Sequence, residues 1–530
     1  MEKLNNRYQN ALSRCKGFVD HNPYSKTKGC ADRNFWHYQD GKGFAVGSFQ
    51  VMMLGMMGGQ EYFSEKTNSF FNTGKLCLEW WADEIIKKPC LDEYFLNQNS
   101  FCATAYTAMS ASLVINFLSS NEKHLDHYKL ALTQTFKFLK NDSNRPDSAN
   151  QTLAAMLAFD VAGVSENPFE LKIVENEGFY SEYGGFDLGY SLKCIDMCVL
   201  ALSTFTDTEK IEKYNKILIN LLRMVHKVVV GYTFNPSLGS RGNPHKLIGG
   251  LSVLESRGVQ IAKEILERIK SPIAFGRMVS ADQCDDKYMS FFHLTSLMLE
   301  QHALSGNSKL LPLVEKFDCA SDFTDMKYDK LESSESFVFY QQGDLKIALS
   351  LYSSGAVHLE NNNSVYTCLG YLFRDQNELY GPGGAIQKID LHETEKGEII
   401  IEYDFMAKKS SERSLQIQSN IFGLFFKLMM SLPIARSILR NYIYNQTYSL
   451  KSEIKVGRRT IRIQKDGVSI KDKFYRKGVY SFLHNWSMVD GHSTRMIGDD
   501  SLFVGDELIV ENEKEVILVK EFSGNDFYEA

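Results

Sequence analysis

The sequence is missing the marks of a membrane-spanning or a disulfide-rich exported protein. In its 530 residues no run reaches the ~18 uninterrupted apolar positions that a spanning helix needs. The opening MEKLNNRYQNALSRCKGF has charges and amides where a signal peptide has an apolar core, so a cytoplasmic location is expected. The 10 cysteines are scattered, with no CxxC pair and no Cys/His set at zinc spacing. They read as reduced thiols packed as small apolar side chains. An excess of one charge sign is missing too. With 59 Lys+Arg, 65 Asp+Glu, a net charge of −6 and a pI near 6.1, the chain lacks the concentrated basic face of a general nucleic-acid binder. P-loop, HExxH, GxSxG and EF-hand motifs are all absent, so no metal or cofactor is expected and chemistry falls to dispersed polar side chains. The glycine cluster Gly381-Pro382-Gly383-Gly384 lies among strand-like segments and reads as a turn.

What is present is core material: 44% apolar and 12% aromatic residues exclude global disorder. The length suggests about three to four domains, although large helical barrels exceed that size as one unit.

The chain changes period near its middle. From residue 1 to 325 apolar residues recur at helical spacing, as in Ala103, Met109, Leu113 and Phe117, or Ile195, Val199, Leu200 and Leu202. About ten such segments alternate with Asn/Asp/Gly/Pro-rich breaks. Consecutive helices on short loops pack antiparallel, and a series of such hairpins closes into an α/α toroid, an incomplete helical barrel. After a passage at Asp318–Glu335, residues 335–530 are rich in Val, Ile, Tyr and Phe with Gly-Asp, Asn-Asn, Gly-Arg and Asp-Gly turns. Phe337–Tyr340, Leu345–Tyr352, Glu398–Phe405, Tyr448–Val456, Thr460–Gln464 and Leu502–Val510 predict an antiparallel β-sandwich. Inside it, Ile421–Tyr442 is helix-like and largely apolar, with Lys451, Lys455, Arg458, Arg459 and Arg462 close behind. Such a helix suits the surface of an anionic membrane; the alternative is a helix packed on the sandwich, with the basic residues on a solvated strand face.

Four polar-aromatic clusters stand in loops or helix starts of the helical half. The first is Asp32 to Tyr38, with Arg33, Trp36 and His37. The second joins Asp92, Glu93 and Tyr94 to Asn97, Asn99 and Ser100. Asn150-Gln151 opens a helix, and Glu177–Tyr190 packs Glu182, Tyr183, Asp187 and Tyr190 among glycines. A smaller cluster adds Gly239-Ser240-Arg241 and His245. Aromatic rings beside carboxylates and amides suit sugars, whose apolar faces stack while their hydroxyls find polar partners. Each cluster has a structural alternative. Asp32, Asp92 and Asn150 are good helix-capping residues, Trp36 a good core residue, and the paired glycines a tight turn.

The strings GCADRNFWHY, DEYFLNQNSFCATAY, ANQTLAAMLA, EYGGFDLGY and GSR, on a toroid followed by a sandwich, resemble the heparinase II/III and alginate-lyase superfamily. In particular they resemble a heparinase II/III-like group from bacterial surface-polysaccharide gene clusters. The resemblance covers most of the chain as short islands. It implies β-elimination at a uronic acid residue of an acidic polysaccharide or a lipid-linked glycan, the latter suiting a cytoplasmic protein peripheral to the inner membrane through 421–442. It further implies that Asn150 neutralises the sugar carboxylate, with Gln151 standing where the family often has His. Tyr190 or Tyr183 would be the acid and base, and His358 the assisting sandwich histidine.

The chemistry asks for the same residue types. Removing a proton beside a carboxylate builds negative charge that hydrogen-bond donors must stabilise, and Asn150, Gln151 and Arg241 are donors. Glycoside hydrolysis through carboxylates drawn from Asp92, Glu177, Glu182 and Asp187 and non-catalytic glycan binding or assembly are the competing readings.

Overall fold

A computed structural model describes residues 2–38, 43–58, 68–118, 124–141, 145–174, 178–232, 236–240, 242–270, 278–305, 330–334, 337–351, 356–361, 364–375, 378–382, 386, 388–395, 397–409, 453–464, 467–476, 478–484, 504–510 and 514–519. The chain is a mixed α+β protein, helical first and stranded afterwards. The helices are α1 (Glu2–Lys16), α2 (Arg33–Trp36), α3 (Met52–Gly58), α4 (Asn68–Lys87), α5 (Phe101–Phe117), α6 (Leu125–Asn141), α7 (Ala149–Val161), α8 (Leu188–Thr204), α9 (Thr208–His226), α10 (Gly249–Ser256), α11 (Gln260–Lys270), α12 (Asp286–Tyr288) and α13 (Leu294–Ser305).

These helices are of two kinds, and the sequence dictates which. In α11 the buried residues Ile261, Ala262, Ile265, Leu266 and Ile269 form one stripe opposite Lys263, Glu267 and Lys270, so one face stays in water. Every residue from Ala149 to Asp160 of α7 and from Leu188 to Leu202 of α8 is buried. Helices without a polar face are stable only when neighbours cover them on all sides. Accordingly α5 packs on α7, α7 on α8, α8 on α10, α10 on α13, α13 on α3 and α3 on α5, while α4, α6, α9 and α11 pack outside them. The close approach of α3 to α13 depends on Gly55, where an added Cβ would lie 2.6 Å from Leu294 Cγ. From α1, the buried Tyr8 hydroxyl donates to the Gly55 carbonyl at 2.5 Å, and Arg14 pairs with Asp286 at 2.6 Å.

The strands are β1 (Leu331–Ser333), β2 (Phe337–Gln342), β3 (Leu345–Ser350), β4 (Ala356–Asn361), β5 (Ser364–Asp375), β6 (Glu378–Pro382), β7 (Ile389–Glu393), β8 (Ile399–Lys409), β9 (Glu453–Gln464), β10 (Gly467–Phe474), β11 (Gly478–His484), β12 (Val504–Val510) and β13 (Lys514–Val519). All pair antiparallel, in the order β1-β2-β3-β4-β5-β6-β8-β9-β10-β13, with β7 beside β8 and β11 joining β5 to β12. The alternation of side chains assigns β2–β4 two duties. Phe337, Phe339, Ala348 and Ala356 belong to the helical core, whereas Val338, Tyr340, Ile347, Leu349, Val357 and Leu359 build the core of the strands. Polar contacts fix that junction: Arg268 pairs with Glu360, Lys227 with Glu332, and Lys346 donates to the Val230 carbonyl at 2.8 Å.

One turn expected from the sequence is absent. Gly457-Arg458 does not break the chain; Glu453–Gln464 is one continuous strand. Gly457 is there because a Cβ would strike the Phe405 ring and the Lys473 carbonyl oxygen, so it marks a close approach rather than a reversal. The helix-like stretch 421–442 lies outside the described residues, as does most of the passage at 318–335. Of the basic residues behind it, Lys455 pairs with Asp404 at 2.5 Å and Arg458 with Glu402 at 3.0 Å and Asp390 at 3.2 Å. Arg459 is buried against Asp472 through bonds of 2.7 and 2.5 Å, and Arg462 is exposed. Among the described residues no helix is long and apolar enough to cross a membrane, no disulfide forms, and no group of His, Cys, Asp and Glu has the arrangement of a metal site.

Candidate functional site

The start of α7 gathers the third and fourth sequence clusters. The segment before it meets the loop before α8 through a bridge of Ser148 to Glu182, and the Ala149 N–H donates to the Ser181 carbonyl at 2.9 Å. The first N–H groups of a helix have no partner within it and carry its positive end. Here a carboxyl from 32 residues on takes that place. Asn150 N–H donates to Glu182 Oε1 at 2.6 Å. The Ser148 hydroxyl and the Asn150 amide donate to Glu182 Oε2 at 2.8 and 2.7 Å. The Tyr106 hydroxyl, from α5, donates to Asn150 Oδ1 at 2.7 Å. Both ends of the Asn150 amide are therefore engaged inside the protein. Burial pushes the Glu182 carboxyl up to about 8, against the hydrogen bonds from Ser148 and Asn150 and with a further upward push from Asp187.

Beside this knot Gln151 Nε2 donates to the Tyr183 phenolic oxygen at 2.8 Å. Tyr183 is half-buried and sits at φ 57°, a left-handed conformation rare for a residue with a side chain. Its N–H is tied to the Asp147 carbonyl at 2.6 Å. Backbone held this way costs on the order of 1–3 kcal/mol and persists only when its surroundings over-determine it. Among the described residues, Gln151 Oε1 is buried without a hydrogen-bond partner. A cavity of about 300 Å³ adjoins the knot, lined by Arg145, Asp147, Ser148, Thr152, Lys172 and Ser181. Its wall is about equally polar and apolar, with Pro146, Ala149 and Leu171 among the lining and Gln151 and Tyr183 outside it, and its volume fits a sugar unit.

Asp187 and Tyr190 lie at the next helix start. Asp187 is the N-cap of α8, its Oδ1 accepting from Tyr190 N–H at 3.0 Å and its Oδ2 from Asn243 N–H at 3.0 Å. Tyr190 is 5% exposed, its ring edge-on to Phe292 at 6.1 Å. Phe292 also meets Tyr106, His245 and Tyr288. His245 and His293 share a hydrogen bond of 3.0 Å, and burial pulls His245 down to about 3, so that imidazole is neutral at physiological pH.

The remaining candidates are placed elsewhere. Asp92 is a loop clamp: its two oxygens accept from Asn99 N–H at 2.8 Å and Asn97 N–H at 2.9 Å, and Lys88 contacts both. Glu93 accepts from Ser100 and pairs with Lys287 at 3.0 Å; that ammonium also lies 4.4 Å from the Tyr94 ring centre. Asn99 sits in this loop at φ 56°. Asp32 caps α2 and also accepts from Val46 N–H, as a capping role requires. Arg33 is exposed and lies over the Tyr38 ring, His37 is exposed, and the indole of Trp36 donates to the Phe18 carbonyl at 2.7 Å. His358 is buried on β4, between Ala356 and Glu360 on the face turned to the helices. Arg241 and Glu177 lie outside the described residues.

Asn150, Gln151, Glu182 and Tyr183 thus come together, with Asp187 and Tyr190 adjoining. The Glu93–Tyr94 loop reaches the same region through Lys287 and Tyr288, while Arg33, Trp36 and His37 stand apart around α2. Sequence reasoning missed Tyr106, Ser148, Arg145 and His293. Tyr106 falls at an apolar position of a buried helix, where nothing marks it as a partner of Asn150. Ser148 did carry a signal, since Ser before an apolar run is a helix-start residue. No known family model matches the chain, and no curated protein matches its sequence.

Proposed function

We propose that the chain is a glycan-active protein with a lyase-like site that performs β-elimination on a uronate-containing glycan. In this reading the succession α3, α5, α7, α8, α10 and α13 is the inner wall of an α/α toroid, and the strands form a sandwich docked on it. The observation that carries it is the Gln151 amide donating to the Tyr183 phenol at 2.8 Å on strained backbone, next in the fold to Asp147, Ser148 and Ser181, which line a cavity of about 300 Å³.

The roles follow from the geometry. A donor aimed at a phenolic oxygen favours its ionised form, so Tyr183, acting as the phenolate, is the base. It takes the proton from the carbon bearing the sugar carboxylate, and the electron pair of that C–H bond forms the new double bond. The glycosidic C–O bond on the neighbouring carbon breaks, and the leaving oxygen recovers a proton from the phenol. Arg145 and Lys172, on the cavity wall with Asp147 and Glu170, are the cations available to a sugar carboxylate. Asn150 acts as a positioning residue: with Ser148 and Glu182 it fixes the turn that carries Tyr183. Tyr190, capped into α8 and buried, is the weaker candidate for the base. Hydrolysis by paired carboxylates has less support, because Asp92 and Asp187 are taken up by backbone N–H groups.

Product chemistry tests the proposal. An acidic polysaccharide cleaved by elimination gains an unsaturated uronate that absorbs in the near ultraviolet. Hydrolysis yields reducing ends without that absorbance, and a binding protein yields neither. A lipid-linked glycan of the same sugar type and surface contact through 421–442 belong to this reading as its cellular setting.

A further inference from the structure

A second cavity, of about 370 Å³, shares no residue with the site at the start of α7 and is lined by α1, α10, α11, α13 and the segments around residues 246 and 280. Three cations face it, Arg7, Lys246 and Lys270, against two carboxyls, Glu255 and Glu300. Neither Lys246 nor Lys270 has a carboxylate within ion-pair distance among the described residues. Arg7 is held loosely, 3.5 Å from Asp282 and 3.6 Å from Glu300, longer than charge-assisted hydrogen bonds. Lys246 is half-buried; burial lowers its affinity for a proton, Glu300 acts against this, and Lys270 and Arg7 push it down again.

Like charges crowded around one partly dry cavity repel, and desolvation adds to the cost. Negative charge within the chain, from Glu255 and Glu300 on the wall and Asp282 beside Arg7, offsets it in part. Glu300 is buried and pushed up to about 7, so near neutral pH its carboxyl is about half protonated despite three cations around it. The ends of α10 and α13 supply only about half a negative charge each. A bound anion would balance the excess. The donors outnumber what a carboxylate can accept: one guanidinium, two ammonium groups, the Ser252 and Ser280 hydroxyls, and Glu300 itself when protonated. A tetrahedral phosphoryl group presents three outward oxygens to such a set.

We propose that this cavity is a phosphoryl-anion site, taking free phosphate or the phosphate group of a larger molecule between Arg7, Lys246 and Lys270. Isothermal titration of the full chain at constant ionic strength tests it, with inorganic phosphate, pyrophosphate, a hexose 1-phosphate and acetate as probes. The phosphates are expected to bind and acetate to bind at least about tenfold more weakly. Hexose phosphate binding tighter than inorganic phosphate identifies a larger molecule as the source, and the reverse identifies the free anion. Lys246→Met, which keeps the buried stem, is expected to weaken phosphate about tenfold. Lys270→Met, at an exposed helix end where folding is not at stake, is expected to weaken it severalfold, while Lys263→Met on the outer face of α11 leaves it unchanged. Absence of binding by every phosphate, equal affinity for acetate, or unchanged affinity in both the Lys246 and Lys270 variants overturns the proposal. None of these results depends on whether the α7 site is a lyase.

Discussion

Two neighbouring inner helices each begin at a serine whose hydroxyl donates to a buried carboxyl, and the surroundings of the two carboxyls differ. Before α5, Ser100 caps the helix and its hydroxyl donates to the Glu93 carboxylate; before α7, the Ser148 hydroxyl donates to the Glu182 carboxylate. The loop tied to each helix start carries residues in left-handed backbone: Asn97 and Asn99 in the loop before α5, and Tyr183 in the loop before α8 that meets the start of α7. At the first, Lys88 balances Asp92 and Lys287 balances Glu93. At the second, no cation contributes among the leading influences on Glu182, which depends on neutral donors and is pushed up to about 8. A loop whose carboxylates are matched by lysines is held for its own sake. A loop whose carboxyl is buried unmatched, beside a strained phenol and a cavity, is held for something else, and perturbed groups of this kind concentrate at working sites.

The largest expected effect falls on the phenol. Tyr183→Phe should cost on the order of 10²–10⁴-fold in turnover, the usual contribution of a general base, while the protein remains folded with a small loss of stability from the unpaired Gln151 amide. The equivalent change in the balanced loop, Tyr94→Phe, should leave turnover within severalfold. Next comes the knot itself. Asn150→Ala removes three hydrogen bonds to buried partners, Tyr106, Ser148 and Glu182, and should destabilise the protein by about 2–4 kcal/mol in denaturant unfolding. Glu93→Gln leaves Lys287 facing a neutral amide and should cost about 1–3 kcal/mol.

The smaller effect sharpens the contrast through pH. The Glu182 carboxyl, ordinarily at 4.5, is raised to about 8 in the folded chain, so the folded state holds a proton that the unfolded state releases. Its contribution to stability is complete below about 4.5 and is lost as pH rises through about 8, with a slope of at most about 1.4 kcal/mol per pH unit. Subtracting the stability profile of Glu182→Gln from that of the wild type should isolate this slope, since Glu300 contributes equally to both. Glu93→Gln should leave the slope in place.

How much of this the sequence declared differs by region for physical reasons. The change from helical to alternating period is local, so the order of helices and strands was legible, and so was the capping chemistry at Asp32; Asp187, read as a site carboxylate, is instead the cap of α8. Gly457 was misread because a glycine demanded by a neighbouring ring looks the same in sequence as one demanded by a turn. The bonds joining Asn150 to Glu182 and to Tyr106 span 32 and 44 residues and exist only once α5, α7 and the loop before α8 are packed together. The left-handed Tyr183 was hidden for a related reason. With Gly184 and Gly185 next to it, the unusual backbone would be assigned to glycine, yet tertiary bonds to Asp147 and Gln151 force it onto the tyrosine.

The central claim, that the unmatched loop carries the chemistry through Tyr183, is tested most directly by single-turnover cleavage of a uronate-containing glycan followed at the absorbance of the new double bond. Wild type and Tyr190→Phe are predicted to give the signal at rates within about tenfold of each other, and Tyr183→Phe to give none above background while remaining folded. Absorbance that survives Tyr183→Phe and disappears with Tyr190→Phe would contradict the account.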